Sequence, residues 1–163
     1  MDTTTVDIPQ AKPDARAPRE LVKSTAFVLK RLGWACKDRG YQAFDEVGAS
    51  PLHYGILAVL DEGARETQAT IADALGFDRS ALVALLDDLE RHHLVERRRD
   101  PADRRRHLVS MTPAGEKVLA EYRSIASKLD DDLLAPLEPK ERAELHRLLV
   151  KLASHHDKRY ADA

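Results

Sequence analysis

The sequence predicts a mainly α-helical protein with a single short β-hairpin, and three observations support this fold class. Leucine, alanine, arginine and glutamate are abundant, whereas the 163 residues include only three phenylalanines, one tryptophan and four tyrosines. Apolar residues recur at spacings of three and four along most of the chain, which is the period of an amphipathic helix. Only residues 94–111 change to an extended pattern, and this segment predicts two short strands.

The N-terminal part of the chain predicts a tail followed by two helices. Residues 1–18 contain three prolines and no apolar periodicity, so we expect a flexible tail. An apolar stripe begins at Arg19 and predicts one long helix that reaches about Glu46. A Gly-Ala-Ser-Pro run then ends this helix and begins the next, because Ser50 can cap it and proline is tolerated at its first position. The second helix is predicted over residues 52–61.

Two shorter helices are predicted next, separated by a tight turn that contains glycine. The first covers residues 68–75 and has Thr67 as its N-cap. Asp78 caps the second, whose leucines fall at the i, i+3, i+4 and i+7 positions of a core stripe. This order of helix, turn and capped helix is typical of a helix-turn-helix. The stripe consists of Leu82, Leu85, Leu86 and Leu89.

The predicted hairpin follows this pair of helices directly. Its strands cover residues 94–99 and 107–111, and an arginine-rich turn joins them. A hairpin in this position is a β-wing, so residues 50–111 are predicted to form a winged helix-turn-helix module.

Charge is concentrated at the wing. Residues 91–106 carry a net charge of +4, whereas the rest of the chain sums to −6. A compact basic segment on an otherwise acidic protein is typical of a protein that binds phosphate groups. A solvated loop, whose arginines pair with the three acids of the same segment, is an equally good interpretation of the charge alone.

The first helix and the last two are longer than a winged module requires. The fifth helix is predicted to begin at Thr112 and Pro113 and to run for about 20 residues, by the length of its apolar stripe. The sixth covers residues 140–156, with Leu145, Leu148, Leu149 and Leu152 on its buried side. Long amphipathic helices that lack a central core to cover them bury their stripes most simply against a second copy. Residues 19–49 and 112–160 are therefore predicted to form a helical dimerisation region.

The helix capped by Asp78 has the features of a helix that enters the major groove of double-stranded DNA. Its N-terminal half would reach the base edges. Asp87 and Arg91 lie farther along the same exposed face, four residues apart, where they can pair. The candidate residues for DNA contact on this helix are Arg79, Ser80, Val83, Ala84 and Arg91.

The wing supplies a second set of candidate DNA contacts. Arg104 projects from the tip of the turn, where a guanidinium fits the narrow minor groove of an A·T tract. Asp103 can hold the neighbouring arginines in orientation. The remaining arginines are predicted to contact phosphates, which position the protein without specifying sequence. They are Arg97, Arg98, Arg99, Arg105 and Arg106.

Several of these segments together resemble the MarR family of bacterial transcriptional regulators over residues 19–156. The wing motif Asp-Pro-Ala-Asp-Arg-Arg-Arg, which begins at Asp100, is the most specific. The other matching segments are Thr67 to Gly76, Asp78-Arg79-Ser80, Leu89-Glu90-Arg91, Leu94 to Arg98 and Thr112 to Gly115. The chain departs from the family at Ala81, Ala84 and His93, where a threonine, an arginine and a glycine are usual.

The resemblance implies a winged helix-turn-helix homodimer whose interface is formed by the first helix and the last two. It also implies binding to a near-palindromic operator, usually by a repressor that a small aromatic or anionic ligand releases. By this likeness, the wing-tip arginine that enters the minor groove falls on Arg104, and its supporting acid falls on Asp103.

The residues that could sense an oxidant or a ligand each have a structural interpretation as well. Cys36 resembles the reactive cysteine of the peroxide-sensing OhrR branch, but it also continues an apolar stripe, as a buried structural thiol would. Trp34, His53 and Tyr54 could form the wall of a ligand cleft, with an aromatic surface and polar tips. Packing of the two aromatic residues and a solvated histidine are equally consistent with the sequence.

Other function classes find little support in the sequence. No apolar run approaches the roughly 20 residues of a membrane helix, and residues 1–17 do not resemble a signal peptide, so we predict no membrane association and a cytoplasmic location. We find no Gly-rich phosphate loop, nucleophile motif or paired carboxylates, and the histidines match no zinc spacing. The chain is thus predicted to be no enzyme and to need no cofactor or metal. Two alternatives remain: a dimeric protein-interaction module whose wing binds an acidic partner, and a redox-sensing regulator.

Overall fold

The computed structural model describes residues 16–63, 66–101, 103 and 106–161. It divides into two compact units, Met1–Lys37 and Asp38–Ala163. Most of the predicted tail, residues 1–15, lies outside the described residues. Among those described, no helix is both long enough and apolar enough to cross a membrane.

The mainly α-helical class is confirmed, with a small antiparallel sheet inserted among the helices. In chain order the elements are α1 (Arg19–Val22), α2 (Thr25–Asp45), α3 (Pro51–Gly63), β1 (Glu66–Thr67), α4 (Gln68–Leu75), α5 (Arg79–Arg91), β2 (Val95–Arg99), β3 (His107–Met111), α6 (Pro113–Leu134) and α7 (Pro139–His156). A 3-10 turn, Lys158–Tyr160, follows α7.

The predicted long first helix is interrupted near its start, so that part of the prediction was wrong. α1 ends at Val22, and α2 begins at Thr25. The Ser24 hydroxyl accepts a hydrogen bond from the Phe27 amide at 3.3 Å, as an N-cap does. The serine thus begins a new helix inside a continuous apolar stripe.

The predicted caps of the central helices are confirmed. At the start of α3, the Ser50 hydroxyl accepts a hydrogen bond from the His53 amide at 3.4 Å, and the His53 ring Nδ1 accepts one from the Ser50 amide at 3.2 Å. Thr67 caps α4 by accepting from the Thr70 amide at 3.1 Å. Thr112 caps α6 by accepting from the Gly115 amide at 3.1 Å. These contacts satisfy amides that a helix leaves unpaired in its first turn.

Within the described residues, the sheet has three strands in the order β1-β3-β2, one more than the hairpin alone supplies. β2 and β3 form the predicted hairpin, in which Val95 pairs with Met111 and Arg99 with His107. The third strand, β1, was not predicted from the sequence. It pairs antiparallel with β3, with Glu66 opposite Val109.

The core lies where α3, α4, α5 and α6 meet the sheet. It includes the α5 leucines Leu82, Leu86 and Leu89, as their spacing predicts, whereas Leu85 is only partly buried. The other large buried side chains are Phe44, Ile56, Leu57, Leu60, Ile71, Val95, Val109, Leu119 and Tyr122.

In α7, by contrast, no residue is buried within the chain. Leu148, Leu149 and Leu152 were predicted on the buried side, but they are 43%, 40% and 49% exposed. Leu145 is intermediate. Because the stripe faces outward, these leucines need another surface to cover them.

The C-terminal end of α5 contains a backbone conformation that favours glycine. His93 has φ 58°, in the left-handed region. The Leu94 amide donates to the Leu89 carbonyl and the His93 amide donates to the Glu90 carbonyl, both at 2.9 Å, which is a Schellman motif.

A His93→Gly substitution should therefore raise the free energy of unfolding by about 1 kcal/mol, because glycine adopts this region without a Cβ clash. Urea unfolding at pH 7 measures the change. His92→Gly, one residue earlier and outside the left-handed region, serves as the control and should lower stability. An equal loss of stability in both variants would contradict the prediction.

Candidate DNA-binding surface

The exposed face of α5 carries the four residues predicted to reach base edges. Arg79, Ser80, Val83 and Ala84 are all exposed, while the leucine stripe on the opposite side is buried. The helix period thus placed these side chains on the solvent face, and Val83 is among the exposed large apolar residues. This face offers one guanidinium, one hydroxyl and two small apolar groups.

Asp78 fixes the start of α5. Its carboxylate accepts hydrogen bonds from the Ser80 amide at 2.8 Å and from the Ser80 hydroxyl. These bonds hold the pKa of Asp78 below its usual range. The Ser80 proton is therefore directed to the cap, and this hydroxyl can offer an approaching base only an acceptor.

A cavity of about 490 Å³ lies where α4, α5 and β3 meet. Thr70 lines it from α4, Arg79 and Val83 line it from α5, and Arg106 and His107 line it from the wing. The cavity is thus lined by residues of both the predicted recognition helix and the predicted wing. Two arginines from different elements, Arg79 and Arg106, line one opening.

The wing arginines are not equivalent. Arg98 is 75% exposed and pairs with Glu96 at 3.0 Å. Arg97 is only 21% exposed, and its guanidinium bonds to Glu90 and to Asp87. The interpretation of Arg97 as a phosphate contact therefore conflicts with its geometry, because its guanidinium is already paired with two carboxylates. Arg99 is exposed.

The predicted pair between Asp87 and Arg91 is not formed. Arg91 pairs instead with Asp88, at 2.5 Å, while Asp87 bonds to Arg97 at 2.6 Å. Asp88 also lies 3.5 Å from Nε2 of His53. The exposed end of α5 is thus held by contacts to other elements, and Arg91 itself stays exposed.

The described part of the wing turn places Asp103 beside Arg106. The Asp103 carboxylate lies 3.4 Å from Nε of Arg106, and the Arg106 amide donates to the Asp103 carbonyl at 2.9 Å. The Asp100 amide donates to the Arg106 carbonyl at 3.0 Å and closes the turn. Arg104 and Arg105, the predicted tip and a predicted phosphate contact, lie outside the described residues.

The three candidate ligand-wall residues divide between the two units. In the first unit, Lys30 lies 4.7 Å and Arg31 5.6 Å from the centroid of the Trp34 ring. In the second unit, Tyr54 stacks on Phe44, with centroids 5.9 Å apart. The arrangement supplies packing partners for both aromatic side chains.

His53 is largely buried, so the solvated alternative is wrong. Its side chain is 12% exposed, and Nδ1 accepts from the Ser50 amide. Burial lowers the pKa of His53, although Asp88 opposes this effect. Nε2 is buried without a hydrogen bond, at 3.5 Å from the Asp88 carboxylate.

Cys36 lies on α2 and is exposed within the chain. The expectation of a buried thiol is therefore not met by the chain alone. Among the described residues, no three His, Cys, Asp or Glu side chains come together to hold a metal ion.

Part of this chain matches a known protein family. A sequence profile of the MarR family matches residues 47–106, which extend from α3 through β2 to the end of the wing turn. A protein of Thauera aromatica, whose name assigns it to regulation of the hcr operon, is 36% identical over 105 residues. That match covers 64% of this chain and 63% of the relative, so this chain spans less than two thirds of the relative's length.

Two further similarities extend the comparison. The transcriptional regulator HosA of Escherichia coli O111:H- is 29% identical over 99 residues, covering 61% of this chain and 73% of HosA. The solved structure of the transcriptional repressor CouR, bound to a 23-mer DNA duplex, has 30% identity and a TM-score of 0.76. That match covers 85% of this chain and 99% of CouR.

Proposed function

The chain belongs to the MarR family, whose members are transcriptional regulators and not enzymes, and we propose that it binds a near-palindromic operator in double-stranded DNA as a homodimer. One observation carries the proposal: the exposed face of α5 and the basic wing reach a common opening, with Arg79 on one side and Arg106 on the other. A recognition helix beside a basic hairpin can contact a major groove and the adjacent minor groove together.

In this mechanism, the N-terminal half of α5 enters the major groove. Arg79 can make a bidentate contact to guanine, and Val83 and Ala84 can meet thymine methyl groups. Because only one of these residues can make a bidentate hydrogen bond to a base, DNA shape must supply much of the specificity. Arg104 enters the minor groove, while Arg91, Arg98, Arg99, Arg105 and Arg106 contact phosphates.

Dimerisation is supported by apolar surface that each chain leaves exposed. On α7 this surface is the stripe of Leu148, Leu149 and Leu152. In the first unit it includes Leu29 and Leu32 of α2. A palindromic site requires a second copy whose recognition helix lies about one turn of DNA from the first.

The proposed regulatory role is repression relieved by a small aromatic or anionic effector. CouR, a repressor seen on DNA, is the relative that supports repression. Trp34 in the first unit, and His53 and Tyr54 in the second, are each candidate effector contacts in this proposal. A small rotation between modules is sufficient to release DNA, because it misaligns both half-sites at once. The protein would act in the cytoplasm, where its DNA target lies.

A salt titration tests DNA binding. The probe is the DNA upstream of the chain's own gene, and a scrambled duplex of equal length is the control. If six to ten phosphates are neutralised, affinity should fall by about 10³–10⁵ between 50 and 200 mM salt. Arg104→Ala should weaken binding at least roughly tenfold, since it removes the minor-groove contact.

Fluorescence anisotropy measures both effects. A flat salt response, or equal affinity for the scrambled duplex, would argue for the alternative in which the wing binds an acidic protein. Unchanged affinity of the Arg104→Ala variant would refute the wing-tip assignment.

A further inference from the structure

Arg97 joins the wing to the recognition helix through a set of bonds that none of the other described wing arginines makes. Its Nε donates to Glu90 Oε2 at 2.9 Å, and its Nη2 donates to Asp87 Oδ1 at 2.6 Å and to Glu90. Its backbone amide donates to Glu90 Oε1 at 3.3 Å. Glu90 therefore holds both the side chain and the main chain of β2.

The surroundings of Arg97 separate it from a DNA contact. Its side chain is 21% exposed, against 75% for its neighbour Arg98. With two carboxylates around one guanidinium, the local net charge is −1. Such a group attracts no phosphate, because its positive charge is already matched.

The two ends of this contact belong to rigid elements. Arg97 pairs with Val109 of β3 in the hairpin, and Val109 is fully buried. Glu90 follows Leu89, which is buried in the core face of α5. The bonds to Arg97 therefore link the base of the wing to the last turns of α5. The lowered pKa of Glu90, caused mainly by its hydrogen bond to Arg97, keeps this carboxylate ionised.

We propose that Arg97 is a positioning residue that fixes the angle between the wing and α5, so that both fit the grooves of one DNA half-site. The proposal rests on the DNA-binding function proposed above. Both elements bind together only when their spacing matches the duplex.

Comparison of Arg97→Gln with Arg99→Gln tests the proposal in the full-length protein. Arg99 lies on the same strand and is exposed. We expect Arg97→Gln to lower the affinity for the upstream DNA by about tenfold, as loss of a coupled network does. The slope of log affinity against log salt should stay as in the wild type.

A direct phosphate contact at Arg97 would behave differently, since each lost contact lowers the magnitude of that slope by about 0.9. A slope change of this size, or an affinity equal to that of the wild type, would overturn the proposal. Arg99→Gln shows the size of the slope change at an exposed arginine of the same strand.

A charge swap supplies a second, independent test. The double variant Glu90→Arg with Arg97→Glu keeps the net charge and can rebuild a pair between the same elements. Positioning predicts that it binds DNA more tightly than Arg97→Gln, whereas a direct contact predicts weaker binding, because glutamate repels phosphate. Weaker binding by a folded double variant would therefore reject positioning.

Hydrogen exchange without DNA separates this inference from the proposed function. Arg97→Gln should speed amide exchange in residues 95–99, and Arg99→Gln should not. If the wild type fails to bind DNA, the regulatory proposal fails while this measurement still tests the link. Unchanged exchange in Arg97→Gln would show that Arg97 does not hold the hairpin.

Discussion

A Leu152→Glu substitution should convert the proposed dimer into monomers and weaken operator binding by at least 100-fold. Leu152 is 49% exposed within the chain, in a stripe with Leu148 and Leu149. If a second copy covers this stripe, the variant buries an unpaired carboxylate in the interface, which weakens dimerisation by several kcal/mol. A two-fold interface contains the substitution twice. A monomer then contacts one half-site and loses the contribution of the other.

Sedimentation equilibrium and DNA anisotropy measure the two effects on the same samples. Ala143→Glu is the matched control, because Ala143 is exposed and lies on the opposite side of α7. It adds the same charge, so any general repulsion of DNA is equal in the two variants. A Leu152→Glu protein that remains dimeric would contradict the proposed interface.

The central helices could be predicted from sequence because their signals are local. Thr67 and Asp78 each precede an apolar stripe and cap the helix that it predicts. Each signal depends on residues within one or two turns, so no knowledge of the fold is required. The exposed face of α5 followed from the same period, which placed Arg79 and Val83 correctly.

The missed elements depend on contacts far apart in the chain. β1 has only two residues and is a strand because Glu66 lies opposite Val109 of β3. No pattern of two residues can indicate such a partner. The break at Ser24 depends on a local contact, because the Ser24 hydroxyl accepts a hydrogen bond from the Phe27 amide. A serine inside an apolar stripe is only a weak signal of a helix start.

The ion pairs also show that a local pattern in the sequence cannot predict a contact with another element. Pairing between Asp87 and Arg91 was predicted from their spacing on one helix. Arg97, from β2, bonds to Asp87 instead, and Arg91 pairs with Asp88. Asp87 thus bonds to an arginine of another element and not to the one on its own helix. The only sign of this contact in the sequence is that the acidic end of α5 is followed by a basic strand.

A Gly115→Ala substitution should lower the free energy of unfolding by about 2–3 kcal/mol, as overpacking of a rigid site does. Gly115 is buried in the first turn of α6, against the base of the wing. A Cβ at this position would lie 2.2 Å from the Leu94 carbonyl oxygen and 2.7 Å from Cγ of Met111. Met111 can move, but the carbonyl cannot do so freely. It accepts hydrogen bonds from the Thr112 amide at 3.0 Å and the Thr112 hydroxyl at 3.2 Å.

Gly40→Ala isolates the steric part of this effect. Gly40 is also buried in a helix, but a Cβ there would meet only Pro51 Cγ at an ordinary 3.5 Å. Alanine should be neutral at this position or stabilise the helix by up to about 1 kcal/mol. Thermal unfolding of both variants measures the contrast, and a Gly115→Ala protein that melts with the wild type would contradict it. Because the two substitutions are chemically identical, the difference between them reports how firmly the wing is held against α6.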